Sequence, residues 1–336
     1  MRKRAFIGLV LGVVISSACL WYALKDVNLS AMIETMVRVD ARWVLASVGL
    51  GLMSLVVRAI RWRLLLGTIR PVEIRPLLSA TFVGMMANNL LPARLGEVVR
   101  AWVLSRREQL PVATSLASIV IERLLDVVAA LAILGVCLVG LPELGGGISR
   151  LLKRTGIVIL MLVAVGIAGL WLVFRFREAF SRASERFSLP HERAWLSHGL
   201  RLLIRFIDGL CVFRDLRHVV MLAGLSLIIW GIAVASFHVL AEGFGLGLRP
   251  IQTALVFVIV LFGVAVPSAP GFVGTFHGFC VAGLGMVAEI EPTEAAAYAT
   301  LLHGSQWIAT NAVGLGFLVG DRALSWAAVV GVTRHS

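Results

Sequence analysis

Long uninterrupted apolar runs, rather than short alternations, set the pattern of this chain. Six blocks, at about 5–24, 43–62, 112–141, 155–174, 218–241 and 294–319, are near or above the roughly 20 residues a helix needs to cross a bilayer. Two more, 76–105 and 250–288, are apolar but broken near their centres by proline, glycine and polar residues. The first holds "NNLLPARLGEVVRAW" at 88–102 and the second "VPSAPGFVGTFHGF" at 266–279. This pattern predicts an all-α, polytopic integral membrane protein forming a single transmembrane domain over residues 1–336.

Loop charge assigns sides to these segments. "MRKR" at the start favours a cytoplasmic N-terminus. At the end of the second block and just after it come Arg58, Arg61, Arg63, Arg70 and Arg75, and the segment 175–217 carries nine arginines and no lysine. The alternate loops are poorer: three basic residues in 25–42, three in 142–154, one in 242–250 and none in 288–293. The sides close if each broken block enters and leaves on one face. The expectation is therefore six spanning helices plus two re-entrant helical hairpins, 76–105 and 250–288, about eight membrane segments in an inverted-repeat-like order. Pro92 and Gly96 would turn the first hairpin, and Pro267, Pro270, Gly271 and Gly274 the second. Eight complete, kinked spans keep the same termini and stay open as an alternative. Either way both termini are expected in the cytoplasm and the chain in the cell (inner or plasma) membrane. Residues 178–214 place Leu196, Leu200, Leu203, Ile207 and Leu210 at helical spacing. They read as cytoplasmic amphipathic surface helices, serving either to recruit anionic lipid or as a packed connector.

Composition agrees with a membrane protein. Of 336 residues 59% are hydrophobic and 15% charged, and the mean hydropathy is +0.93; soluble domains carry about a quarter charged residues. The net charge of +12 is the expected bias of cytoplasmic loops against anionic lipid, and nothing in the basic spacing suggests nucleic acid. Cys19, Cys137, Cys211 and Cys280 are scattered, so neither a disulfide framework nor a metal cluster is expected.

The candidate chemistry lies where charge meets hydrocarbon. Non-helical backbone at membrane depth survives only where protein buries it or water lines it. Arg94, Glu97 and Arg100 recur every three residues along one side of a half-helix. Two guanidiniums with a carboxylate between them suit a phosphate, while an Arg–Glu–Arg ladder that pins the hairpin is the plainer reading. In "SIVIERLLDVVAAL" Glu122 and Asp126 share a face, with Arg123 beside them. They begin some ten residues into a span, about 15 Å deep. There they serve as supporting or proton-exchanging groups or as a structural ion pair. Asn88 and Asn89 would bridge unwound backbone or contact a ligand, and His277 is a candidate proton-responsive group. His303, Gln306 and Asn311 in the last span read as helix-to-helix glue. "VVRAIRWRLLL" (56–66) reads as a snorkelling end with Trp62 among headgroups. The chain has no phosphate-binding loop, no H-E-x-x-H and no G-x-S-x-G, so no catalytic residue, metal or cofactor is expected.

Taken in order, "RAIRWRLLL", "NNLLPARLGEVVRAWVL", "ERLLDVV" and "PSAPGFVGTFHG" resemble the lysylphosphatidylglycerol synthase transmembrane region, the flippase-like domain family. Where its members carry a glutamate past the last glycine, this sequence has His277. The resemblance implies a membrane lipid translocator, not an enzyme, that moves or handles a lipid with a phosphate-bearing headgroup. Aminoacyl-phospholipids, polyprenyl-phosphate-linked sugars and hopanoid-type lipids are the classes it suggests. Arg94, Arg100 and Arg123 would then neutralise the phosphate. The expected partners are membrane lipids with anionic headgroups and a separate lipid-modifying enzyme. In the rival reading the chain does not transport but presents lipid to, or scaffolds, a synthase or glycosyltransferase.

Overall fold

The computed structural model describes residues 2–67, 70–91, 95–141 and 216–321, with scattered helical residues between 147 and 165. The named elements among these residues are all helices: α1 (Arg2–Leu24), α2 (Leu29–Arg38), α3 (Ala41–Gly67), α4 (Ile74–Leu90), α5 (Gly96–Glu108) and α6 (Val112–Gly140), then α7 (Leu216–Phe244), α8 (Pro250–Ala265), a 3-10 turn at Pro270–Phe272, α9 (Thr275–Ala288) and α10 (Pro292–Val319). Pro250 and Pro292 each open a helix, where the missing N–H leaves no bond unmade. Asn28 caps α2 by accepting from the Ala31 N–H at 3.1 Å.

Packing brings α3 against α7, α4 against α5 and α10, α8 against α9, and α9 against α1 and α10. Two apolar cores result. One joins Trp62, Leu65, Leu77, Val83, Val99, Leu104 and Ile121 from α3 to α6. The other joins Leu240, Leu255, Val258, Leu284, Tyr298 and Leu302 from α7 to α10.

Six spans with two re-entrant hairpins do not describe this structure, and the inverted repeat built on them goes too. Among the described residues four helices are long and apolar enough to cross a membrane: Ala41–Gly67, Val112–Gly140, Val220–Phe244 and Pro270–Ala288. A fifth exists only if Val10–Leu24 and Leu29–Arg38, bent by 83°, count as one. Length and local polarity explain the difference. The 3-10 turn and α9 together reach 19 residues, so the second half of the supposed hairpin at 250–288 is itself of spanning length. α10 has 28 residues, but His303, Ser305, Gln306 and Asn311 dilute its apolar character. The block 155–174 is described only at scattered positions. Pro92, Arg94, Cys211 and the surface segment 178–214 lie outside the described residues.

Candidate functional site

α3 and α6 each present a polar stripe to the other. Arg58, Arg61 and Trp62 stand at i, i+3 and i+4 on α3, and Ser118, Glu122 and Asp126 stand four apart on α6, so each set shares a face. The stripes interlock. Arg58 Nη1 donates to Asp126 Oδ2 at 2.7 Å, and Arg61 Nη1 donates to Asp126 Oδ1 and to Ser226 Oγ, both at 2.7 Å. Arg61 Nη2 reaches Glu122 Oε1 at 3.4 Å, and Trp62 Nε1 donates to Ser118 Oγ at 2.8 Å.

α5 completes the set. Arg100 Nη1 lies 2.6 Å from Glu122 Oε2, and its guanidinium stacks 3.8 Å above the Trp62 ring. Arg58 lies over Trp230 of α7 in the same way, at 5.4 Å. At the rim Arg123 bridges Asp126 at 3.4 Å and Glu97 at 3.6 Å.

Burial grades this network. Arg61 and Glu122 are fully enclosed, and Arg100, Asp126 and Arg58 nearly so. The Arg123 side chain is 43% exposed and that of Glu97 28%. Four arginines face three carboxylates, which leaves one positive charge in excess. Arg100 Nε and Nη2, Arg61 Nε and Arg123 Nε have no hydrogen-bond partner among the described residues. Buried donors are rarely left so, and charged ones least of all.

A close helix crossing sets Arg100 in place. A Cβ on Gly84 would lie 2.7 Å from Arg100 Cβ and 2.9 Å from the Gly96 carbonyl. One on Gly96 would collide with the Gly84 carbonyl and the Asn88 side chain. Asn88 Oδ1 accepts from the Gly96 N–H at 2.8 Å and so caps the first turn of α5. Gly96→Ala is therefore expected to force α4 and α5 apart at a cost of about 1–3 kcal/mol. A lowered melting temperature of the detergent-solubilised protein checks this; an unchanged one counts against the crossing.

The remaining sequence-predicted residues fall into a second group. The break after α8 is built on Gly271 (φ 69°) and Gly274 (φ 92°), left-handed positions that suit glycine. There the chain wedges against α1, where the Ala269 N–H donates to Ser16 Oγ at 2.8 Å. A Cβ on Gly271 would meet Trp307 Nε1 and the Asn89 carbonyl at 2.9 and 3.0 Å, so this break touches the end of α4. Asn89 Nδ2 also donates to Asn311 Oδ1 at 3.4 Å. His277 Nδ1 accepts from the Gly274 N–H at 3.4 Å and its ring meets His303 edge-on, partners that belong to this second group.

Beyond Ser118, Ser226 and Trp230, which carry no pattern of their own, the sequence pattern places Arg58, Arg61 and Trp62 elsewhere. They were expected at the headgroups because they sit near the end of an apolar run. Trp62 and Arg61 instead have no exposed surface. Their i, i+3, i+4 spacing was the available signal. Among the described residues no group of three His, Cys, Asp or Glu side chains is placed to hold a metal ion.

Comparison with known proteins bears on this arrangement. Residues 9–314 match the family model described as the lysylphosphatidylglycerol synthase TM region. The chain belongs to that family. The match to the lysylphosphatidylglycerol synthase TM region takes in every member of the arginine–carboxylate network, and the chain is a multi-pass membrane protein of this flippase-like group. Among curated relatives, it is 25% identical over 339 residues to "Glycosyltransferase AglD" of Haloferax volcanii, covering 93% of this chain and 54% of that protein. The chain thus spans about half the length of that relative. It is also 24% identical over 300 residues to a "UPF0104 membrane protein" of Methanothermobacter thermautotrophicus, covering 84% of this chain and 85% of the relative.

Proposed function

We propose that this member of the family translocates a lipid whose headgroup carries a phosphate, binding that phosphate at the arginine network. The observation that carries the reading is the excess positive charge together with the unpartnered donors of Arg100. Five ionised side chains enclosed between membrane helices, Arg58, Arg61, Arg100, Glu122 and Asp126, are poor devices for stability, because desolvation offsets most of their mutual attraction. Their placement at this depth points to a ligand or pathway.

Arg123 is the entry point. It is half-exposed, and its contact with Glu97 at 3.6 Å is the longest ion pair of the set. A phosphate that approaches Arg123 can accept two parallel hydrogen bonds at closer range than the 3.6 Å contact with Glu97. Arg100 then supplies further donors from within, while Glu122 and Asp126 hold the guanidiniums in position. Arg94 is retained as a further phosphate ligand on sequence grounds. The acyl or prenyl tail stays in the bilayer throughout.

Reconstitution into liposomes with fluorescent phosphatidylglycerol tests this. Faster flipping than in protein-free liposomes is expected. No acceleration for any phosphate-bearing lipid overturns the reading.

One observation favours a second role, as a membrane module working with a separate lipid-modifying enzyme. A relative that this chain matches over about half its length is named a glycosyltransferase. Under that reading the purified chain alone moves no lipid, and Arg123→Ala lowers protein level rather than specific activity.

A further inference from the structure

α2 is bent by 83° from the last turns of α1, and its sides are unlike one another. Consecutive helical residues stand about 100° apart, so Met32, Ile33 and Glu34 mark three directions, and residues four away extend each into a row. Met32 and Met36, both half-buried, form the row toward the protein. Met32 packs on the core shared by α7 to α10, and α2 rests on α10, where the Asn28 N–H donates to Thr293 Oγ1 at 3.3 Å. Ser30, Glu34 and Arg38 form an exposed polar row, in which Arg38 pairs with Glu34. Between these two rows lie Leu29, Ile33 and Val37, which are 58%, 58% and 79% exposed among the described residues. Single surface aliphatics need no explanation, but a continuous row of them marks a contact surface.

The flanks of the helix identify what covers that row. Before α2, Lys25 Nζ lies 5.3 Å from the centre of the Tyr22 ring and 5.9 Å from that of Trp21, and both rings are exposed. After it, the Arg42 guanidinium lies over the Trp43 ring at 5.5 Å. Aromatic rings with basic neighbours at helix ends are the anchors of the headgroup level. α3, which starts at Ala41, is long and apolar enough to cross the bilayer, so α2 and this end of α3 meet one membrane surface. A second copy of the chain is a poor occupant. A stable interface covers about 800 Å² on each partner, far more than one row of three side chains supplies. A charged partner has little to read. Three basic residues match three acidic ones between 25 and 42, and local pairs join Lys25 to Asp26 at 3.7 Å and Arg42 to Asp40 at 3.2 Å.

We infer that α2 lies in the plane of the membrane surface, with Leu29, Ile33 and Val37 seated at the boundary of headgroups and acyl chains and with Glu34 and Arg38 in water. The seat is apolar, so it takes zwitterionic and anionic lipid alike. Through Asn28 and Met32 it ties the start of α10 to that surface. The test uses the full chain in phosphatidylcholine nanodiscs, its four cysteines replaced by alanine, with a nitroxide on Ile33→Cys or on Glu34→Cys. Collisions with oxygen, which partitions into lipid, are compared with collisions with a water-soluble nickel chelate. The oxygen-to-nickel ratio is several-fold higher at Ile33 than at Glu34, and adding phosphatidylglycerol leaves it unchanged. Equal ratios at the two positions, a difference that arises only with phosphatidylglycerol, or spin–spin broadening from a second copy at Ile33 overturns the inference. If the cysteine-free chain does not fold, melting of the chain with its native cysteines decides in the same nanodiscs. Ile33→Asp then lowers the melting temperature and Ser30→Asp leaves it unchanged, whereas equal melting of the two variants ends the assignment.

Discussion

Replacing Asp126 with asparagine is expected to cost the fold about 3–5 kcal/mol, the usual penalty for removing one partner of an enclosed ion pair. Asp126 is the point where the network converges. Both its oxygens accept from arginines at 2.7 Å, one from Arg58 and one from Arg61, and Arg123 lies 3.4 Å away. Asparagine keeps the shape but turns one acceptor into a donor and removes the charge. Three guanidiniums are then left facing one another across Glu122. The check is thermal melting of the purified protein in detergent, with yield as a second readout. Glu97→Gln is the control. Its partner Arg123 is half-exposed and the pair is long, so it should change stability by less than about 1 kcal/mol. Equal effects of the two substitutions would mean that the network is not graded by burial as described.

Arg100→Lys carries the second large effect, and it falls on function rather than fold. Lysine keeps the positive charge beside Glu122, so that carboxylate is not left uncompensated. The planar fork, the stack on Trp62 at 3.8 Å and the donors at Nε and Nη2 are lost. A charge-assisted hydrogen bond is worth about 1.5–3 kcal/mol, so lipid flipping in liposomes should fall by roughly 10- to 100-fold. The melting temperature should fall by less than in Asp126→Asn, because the charge beside Glu122 is kept and the stack on Trp62 is what the fold loses. A fall in melting as large as that of Asp126→Asn would reduce Arg100 to a packing residue.

Much of this was legible in the residues, for reasons that differ between elements. α3, α6 and α7 are long, predominantly apolar runs, and such a run in a chain of this hydropathy has few other places to go. Glu122 and Asp126 announced a shared face at depth by their i, i+4 spacing, and the structure brings Arg61 and Arg100 to the first and Arg58, Arg61 and Arg123 to the second. Gly96, expected to turn the first hairpin, instead opens α5 at a close crossing with Gly84. The partners of these residues were not legible, because they depend on which helices meet. Arg58 and Arg61 lie close enough to the end of their run that snorkelling toward water was physically reasonable. Only α6, packed alongside with two carboxylates, draws them inward. The count of spans failed for a related reason. It was inferred from the lengths of the apolar blocks, with loop charge making the two broken blocks re-entrant, whereas the 83° bend after Leu24 and the length of Pro270–Ala288 are properties of local backbone that neither reports.

The central claim is that the arginines between α3, α5 and α6 hold a phosphate. Its most direct test is calorimetric titration of the purified chain with a short-chain phosphatidylglycerol and with the matching diacylglycerol, which lacks the phosphate. The phosphate lipid should bind and the diacylglycerol should not, with binding weakened at least about tenfold by Arg123→Ala. Equal binding of the two lipids, or phosphate binding untouched by that substitution, would contradict it.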